Sequence, residues 1–235
     1  REQLKAESEL VAMFREEGRL MTRLSHPNIV QVFGHGEADG LPYIVMEYLD
    51  GDHLAVFARA AEKRGWPLVP SLVARIFLQA ANGLSYVHEA KDDQGEPLGL
   101  IHRDISPQNI FMCYDGRIKI LDFGIALSAN RDVVTRTGML KGKIRYMSPE
   151  QVNAEDLDPR SDIFSLGIVM WELVTGKKLF KNSSEFRTMK MICEDEIPAP
   201  ATLRPSLPEK PDGIIMRSLQ RQPAARFPDA SALRQ

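Results

Sequence analysis

From Ser161 to Gly176 the chain reads SDIFSLGIVMWELVTG, with Ile163, Phe164, Leu166, Ile168, Val169, Trp171, Leu173 and Val174 spread around nearly the whole circumference of a helix. A helix with no polar face is stable only inside a core. The most apolar part, Ile163 to Trp171, is too short to cross a bilayer and is interrupted by Ser165 and Gly167. The rest of this 235-residue chain must therefore wrap around that helix, as one domain with a substantial core. Gly176 predicts where the helix stops.

The elements expected around it are segregated. Leu10, Phe14, Met21 and Leu24 share one helical face, so residues 2–25 read as a helix. Glu17 lies on that stripe. It either sits at the edge and snorkels to water or has a cation or donors nearby, because burying it unpaired is costly. Residues 29–33 and 42–48 are β-rich runs flanking a turn region from Gly36 to Gly40, which predicts a hairpin. Leu49 to Asp52 reads as a connector. Pro70-Ser71 opens a helix with Leu72, Ile76, Ala80, Leu84 and Val87 on one face and Ser71 as its N-cap. Lys91 to Gly99 is an exposed loop, and the chain stops in a helical pattern over 230–235. Strands early and helices late make an α+β arrangement.

Composition excludes several classes of function. Apolar residues make up 43% and charged residues 26%, ordinary for a soluble domain. The net charge of -2, without a long basic stripe, disfavours nucleic acid as a partner. Cys113 and Cys193 sit in no metal-ligand spacing and read as free thiols of a reducing compartment. The polar N-terminus has no signal-peptide core, so a cytoplasmic domain without membrane contact is expected.

The chemistry concentrates in IHRDISPQNIFMCYDGRIKILDFG, residues 101–124. Its second half is strand, Asp115-Gly116 turn, strand, a strong hairpin signal. A two-residue turn would set Asn109 opposite Asp122, with their Cβ atoms ~5 Å apart at the open end. An amide oxygen and a carboxylate so placed are hard ligands suited to Mg²⁺. Asp104 lies on the loop just before, so two oxygen-bearing groups are free to hold a metal and one to accept a proton. A metal hydrolase site suits this much equally.

The motifs go further. His102-Arg103-Asp104 followed by Asn109 matches H-R-D-x-x-x-x-N, and Asp122-Phe123-Gly124 matches D-F-G. With Ser148-Pro149-Glu150, Asp162 and Arg226 following in order, the chain resembles the protein-kinase family, and within it bacterial serine/threonine kinases most. The resemblance runs from the Glu17 helix to the last residue. It implies a two-lobed kinase fold, with residues 1–48 the remnant of a small β-rich N-lobe and 49–235 a mainly helical C-lobe. It also implies ATP and Mg²⁺ as cofactors and phosphotransfer to Ser/Thr hydroxyls of a protein substrate.

Residue by residue, the resemblance implies that Asp104 accepts or orients the substrate hydroxyl proton, while Asn109 and Asp122 hold the metal. Glu47 and Leu49 would offer backbone groups to adenine, with Met46 guarding the pocket behind, Phe111 its floor and Asp52 near the ribose. Glu17 would pair with a phosphate-binding lysine, and Val32, Met21, Phe123 and His102 would stack between the lobes. Arg103 implies control by phosphorylation at Thr135 or Thr137, with self-association for autophosphorylation.

Two departures stand out. No G-x-G-x-x-G occurs, and no strand lysine precedes the Glu17 helix, which predicts a truncated catalytic domain inactive by itself. The alternative is a pseudokinase-like binding or scaffold module. The lysine usual in the catalytic loop is Ser106, and the threonine usual before S-P-E is Lys143. A swap is expected, in which Lys143 supplies the ammonium that Ser106 cannot. The other reading is that Lys143 meets an acidic substrate residue.

Overall fold

A computed structural model describes residues 2–39, 41–65, 68–123 and 143–234. Helix α1 (Glu2–Met21) packs on an antiparallel pair, β1 (Val32–Ala38) and β2 (Leu41–Met46). Ala38 pairs with Leu41, so two residues close this hairpin, and Asp39 takes φ 52°, a left-handed conformation that aspartate tolerates in tight turns. The expected connector contains a short strand, β3 (Gly51–His53), which joins β4 (Ile110–Cys113) and β5 (Ile118–Ile120) in a second sheet. A Cβ on Gly51 would lie 2.3 Å from the Met112 carbonyl oxygen, so only glycine permits this approach.

Helices α2 (Leu54–Arg64) and α3 (Pro70–His88) follow. The N-cap of α3 is Val69 rather than Ser71, because Pro70 takes the first helical position, where its missing N–H costs nothing. Beyond the second sheet come α4 (Pro149–Asn153), α5 (Pro159–Thr175), α6 (Glu185–Cys193), α7 (Pro200–Leu203) and α8 (Glu209–Ser218). The helical pattern expected at the end of the chain is only a 3₁₀ turn, Ala232–Arg234.

Helix α5 is the centre of the larger lobe, buried from Ser161 to Val174 and covered by α3, α7 and α8. Each large apolar side chain buried there contributes about 1.5–3 kcal/mol. Gly176 ends it at φ 68°. Its few polar groups all find partners, as burial demands. Ser165 donates to the Ser161 carbonyl and Trp171 Nε1 to that of Pro198. Ser161 bonds to Glu150 on α4, Asp162 to the backbone at His102 and Glu172 to Tyr146, so one buried helix holds the segments that carry the site.

The β4–β5 turn is one residue longer than expected. Cys113 N–H donates to the Arg117 carbonyl at 2.8 Å and Gly116 N–H to that of Cys113 at 2.9 Å, enclosing Tyr114, Asp115 and Gly116, with Gly116 at φ 89°. This is the three-residue hairpin loop in which a left-handed glycine follows a type I turn. The register moves by one: Ile110 pairs with Ile120, and Leu121 N–H donates to the Asn109 carbonyl. Asn109 therefore stands across from Leu121, not Asp122.

Candidate active site

Residues 101–109 have no regular structure, and their backbone hangs on Asp162. One carboxylate oxygen accepts from His102 N–H and the other from Arg103 N–H, each at 2.8 Å. His88 Nε2 meets the first oxygen from the end of α3, also at 2.8 Å. Burial pushes the Asp162 carboxyl up, but the His88 contact, the imidazoles nearby and the His102 N–H reverse this and hold it below the usual carboxylate range. The fork forces Arg103 to φ 67°, a conformation costing a non-glycine residue about 1–2 kcal/mol.

His102 is fully buried, and its tautomer follows from its partners. The Leu121 carbonyl can only accept, so Nε2 carries the hydrogen and donates at 2.8 Å; Nδ1 accepts from Asp104 N–H at 3.2 Å. The ring lies 4.8 Å from that of Phe123, and Met21, Val32 and Phe123 share its buried core.

Asp104 is thereby presented with 9% exposure. Asn109 Nδ2 donates to its carbonyl at 2.9 Å and to Oδ2 at 2.8 Å. Lys143, otherwise exposed, places Nζ on the same Oδ2. Oδ1 has no hydrogen-bond partner among the described residues. Ser106, buried, sits on the same loop and lines a cavity with Lys143.

Glu17 reaches this cluster from α1 and accepts from Phe123 N–H. Burial, with Asp122 and Asp104 close by, pushes its carboxyl up to about 7 against the opposing pull of Lys143 and that N–H. It forms no ion pair among the described residues. Asp122 is exposed, at φ 32°, and likewise unpaired among them. Asp104 and Asp122 both lie close enough to Glu17 to raise its carboxyl.

Asn109 spends its amide nitrogen on Asp104 and keeps Oδ1, and Asp122 keeps its carboxylate; both are hard oxygen donors that fit Mg²⁺. No group of three or more His, Cys, Asp or Glu among the described residues is placed to hold a metal. A cation here needs further oxygens, such as those of phosphate.

On the other side, Met46 ends β2 and Glu47 N–H donates to the Gln31 carbonyl. The Leu49 N–H and the Glu47 carbonyl have no partner among the described residues. Phe111 lies half-buried on β4, edge-on to His53 at 5.3 Å, and Asp52 pairs across β3–β4 with Met112. Reading the sequence missed Lys119, buried between two isoleucines of β5, which pairs with the Glu47 carboxylate and bonds the Ile29 carbonyl. It missed His88 as well. Neither carries a local signal, since each partner is more than 70 residues away. Glu150 and Arg226, at positions that members of the protein-kinase family pair, meet in a buried two-pronged contact at 2.6 and 2.8 Å. Gly124, Thr135 and Thr137 lie outside the described residues. No helix among the described residues is long and apolar enough to cross a membrane.

The family model described as protein kinase domain matches residues 1–235. The tyrosine-protein kinase MasK of Myxococcus xanthus is 42% identical over 95% of this chain and 35% of its own length. The serine/threonine-protein kinase PrkC of Bacillus subtilis is 33% identical over 95% of the chain and 33% of its own. The chain thus spans about a third of these relatives. Among solved structures, the kinase domain of Mycobacterium tuberculosis PknI superposes with a TM-score of 0.72 at 28% identity, covering 96% of this chain and 77% of that one.

Proposed function

The chain belongs to the protein kinase family, and on that premise we propose that it carries the catalytic site for transfer of the γ-phosphoryl group of Mg·ATP to Ser or Thr hydroxyls of protein substrates. Residues 1–48 form the smaller lobe in this reading and 49–235 the larger. One observation carries it: Asn109 and Lys143 both hold Oδ2 of Asp104, which leaves Oδ1 for an acceptor hydroxyl. As the acceptor oxygen bonds to phosphorus and the bond to the ADP oxygen breaks, the hydroxyl proton passes to Asp104. Asn109 Oδ1 and Asp122 would hold Mg²⁺, which would neutralise phosphate charge. Lys143 does the same from the other side, in the place Ser106 leaves without a cation.

Adenine takes the Glu47 carbonyl and the Leu49 N–H, with Met46 behind, Phe111 beneath and Asp52 toward the ribose. Arg103 keeps a guanidinium with no partner among the described residues, suited to a phosphate on Thr135 or Thr137 transferred between two copies of the protein. ATP as substrate and unpaired Cys113 and Cys193 agree with a cytoplasmic setting.

A second reading is a nucleotide-binding scaffold without turnover. The 235 residues contain no G-x-G-x-x-G and no strand lysine for Glu17, so the chain purified by itself should transfer phosphate far below a normal kinase rate. The deciding assay gives the full-length gene product radiolabelled ATP, Mg²⁺ and casein, followed by phosphoamino-acid analysis. Phosphoserine or phosphothreonine that disappears in Asp104→Asn supports transfer. Phosphotyrosine alone replaces the acceptor, and ATP binding without transfer establishes the scaffold.

A further inference from the structure

Below Asp104 the surface opens into a cavity of about 390 Å³ between α2, the catalytic loop, the Ile144–Tyr146 turn and the C-terminal end of α5. Ser106, Gln108 and Lys143 form its rim on the Asp104 side. A protein segment that delivers a hydroxyl to Asp104 must lay its neighbouring residues along this wall, so the wall's charge selects the segment.

The acidic group best placed to attract a basic substrate is already occupied. Glu172, at the end of α5, has a side chain only 5% exposed. It accepts from Tyr146 Oη at 2.9 Å, Lys178 Nζ at 2.7 Å and Leu179 N–H at 3.2 Å. Burial and the nearby Glu172 charge push the Tyr146 hydroxyl far above its ordinary range, so it remains a donor at any working pH. With both oxygens engaged, its charge met by Lys178 and its side chain buried, Glu172 is not offered to an arginine or lysine of a substrate.

The cations of the wall are in the opposite condition. Arg59 on α2, Arg145 in the 3₁₀ turn and Lys177 after α5 line the cavity and make no ion pair among the described residues. The one other carboxylate on the wall, Glu62, is exposed on α2 as Arg59 is, so three cations face a single open carboxylate.

We infer that this site selects an acidic segment: the acceptor hydroxyl enters at Asp104 while flanking carboxylates lie against Arg59, Arg145 and Lys177. The inference rests on the phosphotransfer reading and adds the substrate class to it. Each exposed charge pair of this kind contributes a factor of about two to five, so three together discriminate acidic from neutral segments by about ten- to a hundredfold. The effect weakens in salt, because the groups are within reach of solvent.

The test uses the full-length gene product and peptides with a central Ser, Thr or Tyr flanked by Glu, Gln or Lys. The expected order of kcat/KM is Glu above Gln above Lys, by about tenfold or more from first to second, carried mainly by KM and narrowed in 0.5 M salt. Arg59→Glu with Lys177→Glu, both at exposed positions, should remove or invert the order. Equal use of Glu and Gln peptides, preference for Lys, or an order the variant leaves intact overturns the acidic substrate alone. Transfer to no peptide overturns the phosphotransfer reading. In that event anisotropy of fluorescent Glu and Lys peptides without ATP still decides: tighter binding of Glu supports the acidic groove, and equal binding or tighter Lys overturns it.

Discussion

Lys143 reaches back 39 residues to place its ammonium on Oδ2 of Asp104. Asn109 holds the same oxygen from the other side of the loop, so two donors from separate segments fix one face of a carboxylate and leave the other open. A lysine held there adds charge where the transferring group passes, without blocking the oxygen that receives the proton.

Lys143→Met should therefore lower kcat by about 10²-fold, with a smaller change in peptide KM. The double variant Ser106→Lys, Lys143→Thr should recover at least part of that loss, since it returns a cation to the neighbourhood from the loop. Steady-state kinetics on all three proteins checks this. A Lys143→Met effect confined to KM would defeat the swap.

Asp104→Asn should cost ~10²–10⁴ in rate while nucleotide still binds, because only the proton acceptor is lost. Asp122→Asn should instead weaken nucleotide binding in the presence of Mg²⁺ and leave Mg²⁺-free binding nearly unchanged. Calorimetric titration with and without Mg²⁺ separates them; identical behaviour of the two variants would contradict the division of roles.

Glu150 is buried, which raises its carboxyl, but the two-pronged Arg226 contact and the Ser161 hydroxyl bring it below its ordinary 4.5. A carboxyl lowered on folding stabilises the fold above pH 4.5 and loses that contribution as pH falls further. Arg226→Met should destabilise by about 3–5 kcal/mol, because it strands a buried charge. In that variant burial, the largest influence on Glu150, is opposed only by the Ser161 hydroxyl and a backbone N–H, so the sign reverses, and lowering the pH from 7 toward 5 should recover stability. Thermal unfolding of both proteins between pH 4 and 8 tests the reversal.

Asp162→Asn replaces one of two accepting oxygens by a donor that faces a backbone N–H. The buried His102 or Arg103 N–H then loses its partner, at about 1–3 kcal/mol. Because the same fork sets the φ of Arg103, the rate should fall further than the stability loss explains. Comparing kcat well below the unfolding temperature with the change in melting temperature distinguishes a displaced loop from simple unfolding.

Much of this was legible in the residue order. All-round apolarity placed α5 in the core, β-rich runs flanking the Gly36 to Gly40 turn region predicted the first hairpin, and the H-R-D, D-F-G and S-P-E stretches marked Asp104, Asn109, Asp122 and Glu150. Such signals act within a turn or two of chain, where periodicity and backbone preference decide the outcome. The β4–β5 register was not legible, since Gly116 is left-handed in a two-residue and in a three-residue loop alike and the two differ in whether Asp115 joins it there; Asp115 does not, and sheet packing settles that. The Lys143 ammonium beside Asp104 was legible only through the family resemblance. The meetings of His88 with Asp162 and Lys119 with Glu47 were not legible. Their partners lie 74 and 72 residues apart, and only the packing of helices and sheet around α5 brings those groups within a hydrogen bond's length.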